Sequence, residues 1–197
     1  MPLFQQFSSA QNGLSAPGVW TCNLVLVLFL LLCAYTDGTR GKIYNKTTFP
    51  AMLAGLLLHT LFGGVNSLGW SSLGLAVGFG IQFVPWRLGL AKAGDVKLLM
   101  GVGALKGWAF CCFGFLYGAV AFGLISLPWL LKRGELKTVG QNLKGYAQIA
   151  MMTQSAPDAP TPTVTKKFVP WGVGLSLGFF VALALEIWLG KPFWWTF

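Results

Sequence analysis

Lys92-Ala93-Gly94-Asp95-Val96-Lys97 leads into Leu98–Leu131, 34 residues of mostly apolar chain, and how that run is divided decides the fold. As a single helix it would be about 51 Å long at ~1.5 Å per residue, against roughly 30 Å of bilayer hydrocarbon. The break falls at Lys106-Gly107, where a charge is followed by the residue most tolerant of unusual backbone angles. This predicts a short helix over about Asp95–Leu105 and a long one over Trp108–Leu131. Charge supports the division. A single crossing would put Arg87 and Lys92 on the opposite side from Lys132 and Arg133, whereas two crossings bring them together, as the positive-inside rule prefers.

Working outward, Val19–Thr36 is a continuous apolar run that Asp37 ends, followed by the basic loop Arg40–Lys46. Thr47–Val65 is a second apolar segment with Pro50 in its first turn, where a missing N–H costs little. Gly63–Ser67 reads as a tight uncharged turn, and Leu68–Trp86 as a third segment bearing Gly74-x-x-x-Gly78, a helix-packing pattern. Beyond Leu131 the stretch 132–167 is polar, with Tyr146–Met152 as a short interfacial helix and Ser155–Pro162 as an extended linker. Phe168–Leu189 is the sixth segment, with Gly174-x-x-x-Gly178, and Phe193-Trp194-Trp195 reads as an interfacial anchor. Met1–Pro17 is polar and lacks the basic start of a secretion signal.

The expected fold is an all-α integral membrane protein, a bundle of about six transmembrane helices with the fourth one short. It forms one domain over residues 1–197: five helices within 18–131, a cytoplasmic loop over 132–167, and the sixth helix over 168–190. Composition agrees, with 55% hydrophobic and 10% charged residues and a mean hydropathy of +0.65. The net charge of +9 sits in short loops between apolar segments. That distribution points to topology and anionic lipid headgroups, and excludes a nucleic-acid partner. Six crossings place twelve of the 14 Lys and Arg residues on one side, leaving Lys106 and Lys191 on the other. The basic side is then cytoplasmic and both termini face outward. The four cysteines form no C-x-x-C pair, so no metal site, cofactor or disulfide framework is indicated.

Asp37 and Asp95 are two of only five acidic residues, and by parity both lie at the cytoplasmic face. An ionisable group at a membrane segment is a functional hypothesis by default. Two carboxyls held close cannot both ionise, so they share a proton. The ionised member can then take a proton from an attacking water while the protonated member supports the oxygen that gains charge. The plainer alternative makes each aspartate a helix cap paired with Arg40, Lys92 or Lys97. The residues alone leave both open.

Asp37 through Asn45, followed by Lys92–Leu99, resembles the two-aspartate signature of the type IV prepilin peptidases, membrane aspartyl proteases of the G-x-G-D class. Within that family it is most similar to the short, peptidase-only members serving tight-adherence (Flp-type) pili. The family's first aspartate precedes a basic loop ending in Ile-Pro-Asn, here Ile43-Tyr44-Asn45. Its second motif ends in Gly-Asp-Val-Lys-Leu, here Gly94-Asp95-Val96-Lys97-Leu98. A later basic residue and Pro-aromatic pair resembles Lys167-Phe168-Val169-Pro170-Trp171. Two positions depart: Tyr44 stands where proline is usual, and Lys92 stands where the first motif glycine is expected.

The resemblance covers roughly Val19 to Leu189 and implies Asp37 and Asp95 as the catalytic pair, with Gly94, Lys97, Arg40 and Asn45 in support. It implies a leader peptidase of the bacterial inner membrane, without cofactor. Its substrate is a prepilin, a basic leader plus a hydrophobic helix, cut just after a glycine. The N-methylating relatives carry paired C-x-x-C motifs that this chain lacks, so a methyltransferase domain is not implied. The rival class is a small transporter or pilus-assembly scaffold using the two aspartates to bind an ion or proton. Of the other ionisable residues, His59 reads as a packed, hydrogen-bonded side chain. Glu186, a turn from the outer end of the sixth segment, is expected to snorkel to the interface.

Overall fold

The computed structural model describes residues 13–87, 91–133 and 171–189. The tail before Gly13, the loop and linker of 134–170 with the helix expected over 146–152, and the aromatic tail after Leu189 lie outside them. The described chain is helical: α1 (Ala16–Arg40), α2 (Asn45–Arg87), α3 (Ala93–Lys106), α4 (Trp108–Arg133) and α5 (Trp171–Leu189). It divides into two units, residues 1–122 with 170–197 and residues 123–169, and only the end of α4 is described in the second. Everything below concerns the first.

Three helices, α1, α2 and α5, are long and apolar enough to cross a membrane, and Trp108–Leu124 of α4 is a shorter apolar stretch. Leu24, Leu28, Leu57, Leu61, Val65 and Trp188 all stand exposed on these helices. In water such a surface would drive aggregation; against lipid it is the expected face. The chain is an all-α membrane protein.

Helix α2 is interrupted once, at Gly64, whose φ of 70° and ψ of −164° no other residue adopts cheaply. Its first arm (45–63) meets α3 at Gly101, Ala104 and Leu105 through Ala51, Gly55 and His59 in turn. The second arm (65–87) meets Ala104, Gly103 and Leu99 through Ser71, Gly74 and Gly78, in the reverse order. The arms therefore run in opposite directions along α3. The expected turn over 63–67 contracts to Gly64 alone, because one glycine provides the whole change of direction.

Helix α3 is the centre. Leu98, Leu99, Val102, Ala104 and Leu105 are fully buried, as befits a helix apolar on all sides. Backbones approach it closely. A Cβ on Gly74 or Gly103 would run into the other's carbonyl group, and one on Gly78 would strike the backbone at Leu99. Its 14 residues make a helix about 21 Å long, too short for the hydrocarbon layer. The carbonyls at its C-terminal end have no partners within the helix and no water to take their place. Neighbours supply the donors: Gly107 N–H to Gly103 O (2.8 Å), Ser71 Oγ to Ala104 O (2.6 Å) and His59 Nε2 to Leu105 O (3.2 Å). A carbonyl can only accept, so Nε2 of His59 carries the proton. Nδ1 then accepts from the Ser67 hydroxyl at 2.8 Å. His59 is the hydrogen-bonded residue expected, and its task is to cap α3.

Two expectations change. Glu186 does not snorkel; it is 6% exposed and accepts from Lys106 Nζ at 2.8 Å, and Lys106 also donates to Asn23 Oδ1 at 2.8 Å. The reason is that Lys106, the last residue of α3, is itself 6% exposed, so its ammonium needs an anion inside the bundle. Nor does Asp37 end the first helix. Helix α1 runs on to Arg40 and stops at Gly41, whose φ of 63° gives the left-handed cap.

The Lys106–Glu186 pair generates a prediction. Glu186→Leu leaves a buried ammonium without its anion and is expected to lower stability by about 3–5 kcal/mol. Lys106→Met with Glu186→Leu should recover most of that loss. Thermal unfolding in one detergent, comparing the single and double variants, checks it; an equally unstable double variant would refute the account.

Candidate active site

The two aspartates come from different helices and meet at the end of α3 opposite Lys106. Asp37 lies one turn before the end of α1, where Gly41 N–H donates to its carbonyl at 2.8 Å. Asp95 is the third residue of α3, and its Oδ2 accepts from Lys92 N–H at 3.0 Å. A carboxylate in a helix's first turn is favoured by the unpaired N–H groups there. Asp95 thus does the capping that the plainer alternative gave it. Asp37 does not: it sits inside a helix, and its Oδ2 is buried with no hydrogen-bond partner among the described residues.

Both carboxyls are nearly enclosed, Asp37 at 3% and Asp95 at 2% exposure, yet they line one cavity of about 380 Å³. Lys42, Ile43, Tyr44, Asn45, Lys46, Lys92 and Gly94 complete its wall. A buried carboxylate without a partner is costly, and two that share a cavity raise the cost of full ionisation further. Three lysines, Lys42, Lys46 and Lys92, line the same cavity as the two carboxyls.

The supporting residues sort themselves by contact. Asn45 lines the cavity and is held by Lys97 Nζ, which donates to its Oδ1 at 2.7 Å. Lys97 itself does not line the cavity; it acts through Asn45. Gly94 lies against Ile43, whose Cβ would be 3.1 Å from a methyl placed there, so a side chain would press the wall. Arg40 is exposed and turned toward Tyr44, with Nη1 3.4 Å from the hydroxyl and the guanidinium 5.8 Å from the ring centre. Sequence reasoning passed over Gly172. A Cβ there would stand 2.7 Å from Asp37 Oδ2 and 3.0 Å from Ile43 Cδ1, so the absence of a side chain on α5 makes room for the carboxyl. The only signal was its place directly after the Pro170-Trp171 pair. Among the described residues no three His, Cys, Asp or Glu side chains converge as metal ligands.

Residues 24–127 match the type IV leader peptidase family, which takes in both aspartates. That match extends over more than half of the sequence, and the chain belongs to this family. A relative described as prepilin peptidase EppA, from Methanothermobacter thermautotrophicus, is 34% identical over 89 residues. Those residues are 42% of this chain and 23% of the relative, so the chain spans under a quarter of that protein's length. No solved structure matches.

The fit of α5 over Asp37 can be tested directly. Gly172→Ala would force the Asp37 carboxyl aside and, if the chain is a peptidase that uses Asp37, is expected to reduce cleavage at least about tenfold, since ångström-scale misplacement is enough for that. Gly38→Ala is the control, because its methyl would meet only Val173 Cγ2, at an ordinary 3.5 Å. Cleavage per mole of folded protein should separate the two; equal rates would remove Gly172 from the site.

Proposed function

We propose that this chain is a membrane aspartyl endopeptidase that removes the leader of a type IV prepilin, of the Flp-like kind, at the cytoplasmic face. The observation that carries the reading is the pair of buried carboxyls, brought from α1 and α3 to one cavity. In this mechanism the pair holds one proton. The ionised carboxylate takes a proton from water as the water oxygen attacks the scissile carbonyl. The protonated one donates to the carbonyl oxygen as it gains charge; as the C–N bond breaks, the amine leaves with the proton taken from water and a hydroxyl of the diol returns its proton to the second carboxylate, restoring the one-proton pair. Neither a metal nor a nucleophilic side chain enters the cycle. The substrate by this reading is a basic leader joined to an apolar helix, cut after a glycine.

The same reading gives six crossings: α1, the two arms of α2, α3, α4 and α5. Opposite directions of the α2 arms along α3 support it, as does the gathering of Lys42, Lys46 and Lys92 around one cavity. Both aspartates then face the cytoplasm and both termini face outward. The transporter or scaffold reading draws less support. Such proteins place ion-binding carboxylates near the midplane on broken helices, whereas Asp37 and Asp95 lie in terminal turns.

Two measurements test this. Asp37→Asn and Asp95→Asn are each expected to cut leader cleavage on the order of 10³-fold or more, with no further loss in the double variant, because the two act as one unit. If cleavage merely tracks the amount of folded protein, the aspartates are structural and the mechanism fails. Single cysteines near Lys42 and near Lys137, in a cysteine-free background, should label from the same side of the membrane. Labelling from opposite sides would break the six-crossing topology.

A further inference from the structure

Lys92 stands at the N-cap of α3 with φ of −85° and ψ of 151°, extended backbone that any residue adopts. Nothing in the main chain there asks for glycine. Its main chain is already part of the site: Lys92 N–H donates to Asp95 Oδ2 at 3.0 Å, and Asp95 N–H donates back to Lys92 O at 3.0 Å. These two bonds make the Asp95 carboxyl and the Lys92 backbone one closed turn.

The ammonium reaches the other helix. Lys92 Nζ donates to Gly41 O at 2.8 Å, across 51 positions of sequence. Gly41 is the left-handed cap of α1, and its own N–H is bound to Asp37 O at 2.8 Å. A cation at a helix C-terminus is favourable twice, through a charge-assisted hydrogen bond and through the unpaired carbonyls around it. A continuous hydrogen-bonded path therefore runs from the Asp95 carboxyl through Lys92 to the turn that carries Asp37.

We propose that Lys92 is a positioning residue for the two aspartates, tying the end of α1 to the start of α3 so that the opening between the carboxyls is fixed. The proposal rests on the peptidase reading above. Among the described residues, the charged or titratable groups lining this opening are Asp37 from α1, Lys42 and Tyr44 from the connection after it, Lys46 from α2, and Asp95 and Lys92 themselves. Loss of the Lys92 ammonium leaves the other two cations in place but removes the one that bridges the helices.

The test uses the full chain in nanodiscs with Lys92→Arg, Lys92→Met and Lys92→Gly. The substrate is a synthetic peptide with a basic leader, a glycine at the cut and an apolar helix. Lys92→Met and Lys92→Gly are expected to lower kcat roughly tenfold. They should also move the acidic limb of the kcat/KM profile up by about half a pH unit or more, because ionising the pair is harder with one cation fewer. Lys92→Arg should keep both near wild type. Hydrogen exchange over residues 38–46 should quicken in the Met and Gly variants and not in Arg. Wild-type kcat and pH limb in Lys92→Met would overturn the proposal, whatever the exchange shows. If the wild type fails to cut the peptide, the peptidase reading is what fails, and exchange alone decides the link: faster in Met and Gly supports it, unchanged overturns it.

Discussion

A helix that stops short of the membrane's thickness is the constraint on which the rest depends. At 14 residues α3 cannot carry its end groups to water, so its backbone carbonyls and Lys106 must find partners inside the bundle. Ser71 and His59 from α2 meet the carbonyls, and Asn23 from α1 with Glu186 from α5 meets the ammonium. Each bond is also a positional instruction. Together they set the depth and rotation of α3 from three different helices, and so fix where Asp95 emerges at its other end. The glycine contacts of Gly74 and Gly78 serve the same purpose by allowing backbone-to-backbone approach on one flank. A wider separation would lengthen the Ser71 and His59 bonds and leave buried carbonyls unpaired.

Much of this was legible in the sequence, for reasons that can be named. The Lys106-Gly107 break was readable because a bilayer has a thickness and 34 apolar residues exceed it. Asp37 and Asp95 were expected at one membrane face from loop charge, and the structure has both lining one cavity. His59 was correctly read as hydrogen-bonded, since an intramembrane imidazole without an evident catalytic partner still needs a donor and an acceptor.

What escaped was non-local. Glu186 was assigned to the interface because its distance from the helix end suits snorkelling; its partner lies 80 positions away, and no periodicity announces it. Asp37 was taken as the last residue of its helix because the apolar run ends there. Yet Thr36 and Thr39 bond back to carbonyls three or four residues earlier, and Gly41 supplies the cap, so the helix continues through polar residues. Gly172 was invisible because its contribution is an absence of atoms beside a carboxyl on another helix. Lys92 was visible only as a departure from a pattern. Its reach to Gly41 needed coordinates.

The two ends of α3 meet the same difficulty in opposite ways. At one end a lysine and a glutamate, each almost fully buried, neutralise each other and close the bundle. At the other, Asp95 is met by a backbone N–H, Asp37 Oδ2 has no hydrogen-bond partner among the described residues, and both carboxyls line a cavity of about 380 Å³ together with Lys42, Lys46 and Lys92. The Lys92 ammonium donates to a backbone carbonyl of the neighbouring helix, which holds the two turns together. On the peptidase reading, a lysine that ties the end of α1 to the start of α3 is what two acids on different helices need if they are to act together on a third group.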